Sequence, residues 1–470
     1  MRLARLLALA ALLALLPVLL PVGASPAAAH NVSARADLRI AQTIAGTELT
    51  VVVKGTSRVP GPLRIGITAY QPVTALPVAL EVRSAEDGRT VTGQALASAD
   101  PRYTELRVER TGPHVLTLRA GGESAVVPFR VLVERGSGAE LLIYGGFFVA
   151  GVLLVGGLLF GALARPGPAM AVAAGAAAGV TVAAMAVVFE PMVPAGPPDG
   201  AAPSVTALAG GGRPYVQERV TTEPARPVAG EEFTLRVDLV DGSTGRPVDD
   251  LTVHHEALAH LVVTSEDGSY FRHVHPLRTG PGRLEVRLRA DRSGRYLAHT
   301  ELEREDSGGQ LLTSAFAVHA PGPQRATGDA DDAGDGTGSD ANASTGDGTG
   351  GTGDGTGGTG DGTGGGVRTG VAGPVLTPVV PVAGRPATIE MDAAGPVRPW
   401  LGMAGHLIVR DRDGGFLGHV HEMGSPDSRL RFTFSFPAAG SYLAWVQYAL
   451  AGRIVTVPFT VEVTAQENAR

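Results

Sequence analysis

The sequence predicts a mainly β chain, with three immunoglobulin-like β-sandwich modules and one two-helix transmembrane hairpin. Three observations carry this. Short β-branched and apolar runs are punctuated by turn dipeptides such as Asp87-Gly88, Asp267-Gly268 and Asp413-Gly414. Two uncharged apolar runs, Leu141–Ala164 and Ala169–Phe189, are each long enough to cross a hydrocarbon core of ~30 Å. The second half of the chain repeats one pattern of histidines, Asp-Gly turns and Gly-x-Tyr triplets.

At 470 residues the chain is too long for one ordinary domain. It has no cysteine, so disulfides and thiolate metal sites are excluded. The formal charge of −7 is misleading, because eight aspartates between Asp329 and Asp361 lie in one Gly/Thr-rich stretch. Taking those eight away leaves +1, and no basic surface for nucleic acid is indicated.

Residues 1–29 read as a secretory signal peptide: Arg2 and Arg5, an apolar run from Leu6 to Leu20, then small residues that allow cleavage after Ala24 or after Ala29. Residues 30–138 form the first module. Its strands are expected at Glu48–Lys54, Leu63–Ala69, Val78–Arg83, Tyr103–Val108, Val115–Ala120 and Ala125–Val133. Residues 139–192 form the hairpin, turning at Arg165–Pro168, with Gly145, Gly146, Gly156, Gly157 and Gly161 suited to close helix packing. A hairpin returns the chain to the side it left. The protein is therefore expected in the cell membrane with every module, and both mature termini, on the extracytoplasmic side. Residues 193–214 read as a linker, 215–320 and 371–470 as the two histidine-rich sandwich repeats. The 321–370 stretch between them reads as a Gly/Thr/Asp disordered linker rather than a calcium-binding repeat, since no apolar residue recurs in its TGDGTGG units. With such a linker, the last module is expected to fold by itself and to leave the preceding one undisturbed when removed.

The repeats match closely. His260, Asp267-Gly268, His273 and His275 correspond to His406, Asp413-Gly414, His419 and His421, with 13 residues from first to second histidine in both copies. Gly294 and Tyr296 follow at the same offsets as Gly440 and Tyr442, and the strand ends Phe316–Val318 and Phe459–Val461 are matched with a length difference of three. An Asp-Gly hairpin tip sets His260 opposite His275 and His406 opposite His421. Histidines two apart share a face, so each hairpin presents three imidazoles together. Imidazole is the commonest metal ligand and suits copper and zinc. Each triplet is thus a candidate site for a copper or zinc ion. His255 is a further candidate beside the first triplet. Met403 and Met423 lie near the second and would favour copper(I). Packing within the sandwich is the alternative role for the same histidines.

The stretch His255-Glu-Ala-Leu-Ala-His260-Leu-Val-Val-Thr-Ser-Glu-Asp-Gly-Ser-Tyr-Phe-Arg-His273-Val-His275-Pro276 resembles a bacterial exported β-domain with a His-Leu-Ile-Val-Val…Phe-x-His-x-His-Pro signature. The resemblance covers about twenty residues per repeat and implies heavy-metal or copper handling. The second repeat departs from it, with Glu422 in place of the proline and no histidine matching His255. The single lysine, Lys54, and the heavy Ala, Gly and Pro usage fit a multi-module membrane protein of high-GC bacteria. Cleavage after Ala29 would also leave His30 first, able to chelate copper through its amine and ring. His114 aligns with Tyr296 and Tyr442, an ordinary strand position. No Gly-x-Ser-x-Gly, His-Glu-x-x-His or phosphate-cradling loop occurs, so no enzyme is expected. The expected partners are the membrane, a metal ion and another membrane or exported protein. A structural or partner-binding chain without metal is the alternative.

Overall fold

Alternating burial along each strand builds three two-sheet sandwiches in a computed structural model that describes residues 31–71, 76–135, 138–192, 197–202, 215–305, 307–322, 373–422 and 428–466. The signal segment, His30, Met423 and the TGDGTGG units lie outside the described residues.

The first module contains β1 (Asn31–Val32), β2 (Leu38–Ile44), β3 (Thr47–Lys54), β4 (Gly61–Gln71), β5 (Leu76–Ser84), β6 (Thr90–Ala97), β7 (Thr104–Val108), β8 (Gly112–Ala120) and β9 (Glu123–Val131). Its sheets run β1-β9-β8-β5-β6 and β2-β3-β4-β7. Asp87-Gly88 turns β5 into β6 as expected, with Arg83 opposite Thr90. Three strands were not foreseen: the two-residue β1, β2 and β6. β2 carries Gln42 inside its apolar run, and β6 is mostly exposed, so neither shows a clean alternation.

The hairpin helices are α1 (Gly138–Leu159) and α2 (Pro166–Phe189), both long and apolar enough to cross a membrane. The turn lies at residues 160–165, not at Arg165–Pro168, because Pro166 serves as the first residue of α2, where a missing N–H costs nothing. Of Gly145, Gly146, Gly156, Gly157 and Gly161, only Gly146 and Gly157 make close approaches. A Cβ on Gly146 would meet the Gly179 carbonyl at 2.5 Å, and one on Gly157 would meet Val172 at 3.1 Å. Beyond the hairpin, Asp199 exchanges both backbone hydrogen bonds with Val133, and Arg130 Nε donates to the Gly200 carbonyl at 2.8 Å. Part of the expected linker is therefore strapped to the first module beside the start of α1. Only glycine fits at Gly200, where φ is +88° and a Cβ would lie 2.4 Å from the Val131 carbonyl oxygen.

The first repeat contains β10 (Val216–Glu223), β11 (Glu232–Asp241), β12 (Ala259–Ser265), β13 (Phe271–Val274), β14 (Leu277–Gly280), β15 (Arg283–Arg289), β16 (Gly294–Arg304) and β17 (Gly308–Val318). The second contains β18 (Val375–Thr377), β19 (Pro386–Asp392), β20 (Gly405–Asp411), β21 (Leu417–Glu422), β22 (Arg429–Ser435), β23 (Gly440–Leu450) and β24 (Arg453–Val463). Each is a sandwich, with β13-β12-β16-β17 and β21-β20-β23-β24 as the matching sheets. The expected hairpin register holds: Val262 faces His273, and His406 faces His421. One correspondence changes. Tyr296 pairs with Phe316, whereas the equivalent Tyr442 pairs with Val461, so Phe316 matches Val461 and not Phe459.

The repeats are not independent units. Leu261 and Val263 point into their own core, while Val262 joins Ile408, Leu417, Leu443 and Trp445 in a core shared by both repeats. Phe271 stacks on Trp445 with ring centroids 4.5 Å apart. The buried Arg410 guanidinium donates across the interface to Thr264 Oγ1 and to the Ser265 and Glu266 carbonyls. The two histidine-bearing sheets thus pack face to face. The expectation that the last module leaves its neighbour undisturbed does not fit this shared core.

Candidate metal centre

The face-to-face packing decides where the histidines go. His260, His273 and His275 meet His406, His419 and His421 in one cluster between the sheets. Among the described residues, two groups of three have ligand atoms within 4.8 Å of one another: His260, His273 and His419, and His406, His419 and His421. One site per repeat was expected. Instead the first group draws His419 from the second repeat, and His419 is common to both. The reason is that each triplet lies on a sheet face that the other repeat covers.

The hydrogen bonds specify which ring nitrogens carry protons. His260 Nε2–H donates to the His254 carbonyl at 3.1 Å, and His406 Nε2–H to the Trp400 carbonyl at 3.2 Å. His273 Nδ1–H donates to Gln447 Oε1 at 3.0 Å, and Gln447 Nε2 is itself committed to Thr456 Oγ1. His419 Nδ1–H donates to Glu301 Oε2 at 2.8 Å, and His275 Nδ1–H to Glu48 Oε1 at 2.5 Å. A neutral imidazole has one N–H, so the other nitrogen of each ring is a lone pair. Those lone pairs face one another. His260 Nδ1 lies 3.2 Å from His273 Nε2 and 3.1 Å from His275 Nε2, and His406 Nδ1 lies 3.2 Å from His419 Nε2. Facing lone pairs in a buried site call for a cation or a proton between them.

Burial argues against the proton. It holds His260, His273, His406 and His419 well below the usual imidazole range, and the neighbouring rings push the same way. Burial takes His421 to about 3 and His255 to about 4, each helped by an adjacent histidine. Burial raises the Glu301 carboxyl to about 7, so above neutrality it is the acceptor that His419 Nδ1–H needs. In a tetrahedral site with metal–nitrogen bonds of about 2.0–2.1 Å, ligand nitrogens stand about 3.3–3.4 Å apart; one pair in each group is at 3.2 Å, and the remaining nitrogens lie within 4.8 Å. Carboxylate or carbonyl acceptors behind ligating histidines are the usual outer shell of such sites.

The other candidates divide. The His255 ring lies 3.9 Å from that of His421, at the edge of the cluster. Met403 closes a two-residue turn by exchanging backbone hydrogen bonds with Trp400. His114 is a core residue of the first module, donating Nδ1–H to the Gly112 carbonyl at 3.0 Å and packing on Phe129. Sequence reasoning missed Glu301 and Gln447, although both stand 41 residues after the first histidine of their triplet, at equivalent strand positions. It also missed Glu48, which belongs to a different module. His275 N–H donates to Thr43 Oγ1 and Thr43 N–H to the His275 carbonyl, so the first module forms one wall of the cluster.

No curated protein matches the chain. Among solved structures, similarity extends to the FN1–FN3 domains of chicken CNTN1, at 5% identity over 87% of this chain and 97% of that one, with a TM-score of 0.17. It extends also to a two-domain fibronectin type-III segment of chicken tenascin (9% identity, 54% of this chain and 99% of that one, TM-score 0.16) and to the Yersinia pseudotuberculosis adhesin InvE (12%, 54% and 61%, TM-score 0.17). The family described as "Domain of unknown function (DUF8832)" matches residues 216–322 and 380–465, the stretches that supply all six clustered histidines.

Proposed function

We propose that this is a membrane-anchored, extracytoplasmic protein that binds one copper or zinc ion between its two histidine-rich repeats and takes part in metal handling or delivery. The observation that carries the reading is the set of ring lone pairs turned toward one another, with every opposite N–H already given to a carbonyl, amide or carboxylate oxygen. The apolar hairpin of α1 and α2 supplies the anchor, and its two ends are tied to the first module. The chain is proposed to bind and pass on the ion rather than to catalyse a reaction.

The test is the metal content of the full chain after copper or zinc loading, beside a His260→Ala, His273→Ala double variant. The wild type should retain metal through gel filtration at pH 7.5 and the variant should lose most of it. Equal content in the two would defeat the reading.

A second reading rests on a different observation. Phe271 on Trp445 and the Arg410 hydrogen bonds join the repeats without help from the imidazoles. On that reading the chain is a string of immunoglobulin-like modules that binds a partner protein at the membrane surface, and the histidines only fill the interface. Metal-free wild type after loading is the result this reading requires.

A further inference from the structure

We infer that the two histidine groups are alternative positions for a single ion, an outer one where it is received and an inner one where it is kept, with His419 holding it throughout the passage between them. This rests on the metal reading above and adds a direction to it.

Three features carry the inference. The first is that His419 belongs to both groups. Its Nδ1–H is committed to Glu301, so Nε2 is the one lone pair it has to offer. One lone pair serves one ion at a time, and the groups therefore cannot both be filled. The second is an exposure gradient. In the inner group His260 and His273 are both buried, whereas in the outer group only His406 is, and beyond the inner group His275 is locked by Glu48 and the Thr43 backbone. His421 and His255 are only half-buried, and the His421 ring rests on that of His255. The third is that His421 Nε2 is buried without a hydrogen-bond partner, whereas the other five rings of the cluster each place an N–H on an acceptor.

The passage is a ligand exchange in which the bonds balance. His421 and His406 Nδ1 release the ion as His260 Nδ1 and His273 Nε2 take it, and the bond to His419 Nε2 is kept. No proton or electron moves, because the N–H groups of His260, His273, His406 and His419 stay on their acceptors.

The test uses the full chain with zinc or copper(II) alone, reading stoichiometry at equilibrium and loading rate by stopped flow. One ion per chain is expected for the wild type. His421→Ala should still bind one ion, but load roughly tenfold or more slowly, since a ligand that receives the ion is gone. His421→Gln, which keeps the bulk of the side chain, should load as slowly. His273→Ala should load at the wild-type rate but surrender its ion quickly to a chelator. Two ions per wild-type chain, or unchanged loading in both His421 variants, would overturn the inference while leaving the metal reading intact. A wild type that binds no ion would remove both.

Discussion

The two repeats carry the same hairpin, yet their third histidines meet opposite fates. His275 is fully buried, with its ring on Glu48 and its backbone paired to Thr43 of the first module. His421, its equivalent, is half-buried, rests on His255 and leaves Nε2 without a partner. The hairpins themselves do not explain this, since their registers agree. The neighbours do. The first module holds His275 through Glu48 and Thr43, whereas His421 rests on His255, so a duplicated motif becomes one fixed imidazole and one available imidazole. The same holds across the interface. Glu301 and Gln447 are equivalent and each reaches the second histidine of the other repeat, but one brings a carboxylate and the other an amide. Where the first repeat has His299, the second has Trp445, stacked on Phe271.

The largest effect expected on this pairing comes from acid. The folded pKa values of the clustered histidines lie below the unfolded value of about 6.5. The unfolded chain therefore binds more protons between those values, and stability falls as pH falls. In metal-free protein the contribution should be fully present above about pH 6.5. It should then be lost progressively down toward about 4, where His255 and His299 titrate. Urea midpoints from pH 7.5 to 5 measure it, and a flat profile would show that the rings are not buried together.

Next comes Trp445→Ala, which empties the centre of the shared core and should cost about 3–5 kcal/mol. His299→Ala, at the equivalent position, should cost less, because a smaller ring is removed. Equal losses in urea unfolding would mean that the interface is symmetric in energy as well as in fold.

The hairpin tips sharpen the comparison from the other side. Gly268 and Gly414 both have φ of +75°, and a Cβ on either would run into a leucine of the opposite repeat: Leu443 at 2.3 Å and Leu297 at 2.0 Å. Gly268→Ala and Gly414→Ala should each destabilise by about 2–4 kcal/mol, combining left-handed strain with overpacking. Here the two repeats should behave alike, and thermal midpoints of the two variants should agree.

The smallest effect is the most local. Glu48→Ala leaves the His275 Nδ1–H and the Thr43 hydroxyl without their acceptor and should cost about 1.5–3 kcal/mol. Imidazole NMR shifts of His275 should move while those of His421 stay in place. Movement of both would show that the first module supports the whole cluster and not one half of it.

Much of this was legible in the residues. The Asp-Gly tips fix both hairpin registers, because the turn needs one left-handed residue and the glycine of each pair supplies it at φ +75°. Period-two alternation puts three histidines on one face, and the Leu261/Val263 pair on the other. Strands β2 and β6 escaped because Gln42 and an exposed, weakly apolar run break the alternation. The joint site escaped for a different reason: the 321–370 stretch reads as a spacer that keeps the repeats apart, and nothing local in either hairpin says what lies above its histidine face.

The sequence by itself determined the sandwich modules, the apolar hairpin, the duplication and which side chains share a sheet face. These follow from turn chemistry, apolar runs and the pleat, all set by residues close together in the chain. Only the tertiary structure decided that the two faces meet, that His419 belongs to both groups, and that Glu48 and Glu301 accept protons from rings in other modules. Those contacts join residues more than a hundred positions apart. They depend on the shape and apolar fit of whole sheets, as between Ile408, Leu417 and Val262, and no short-range pattern encodes that fit.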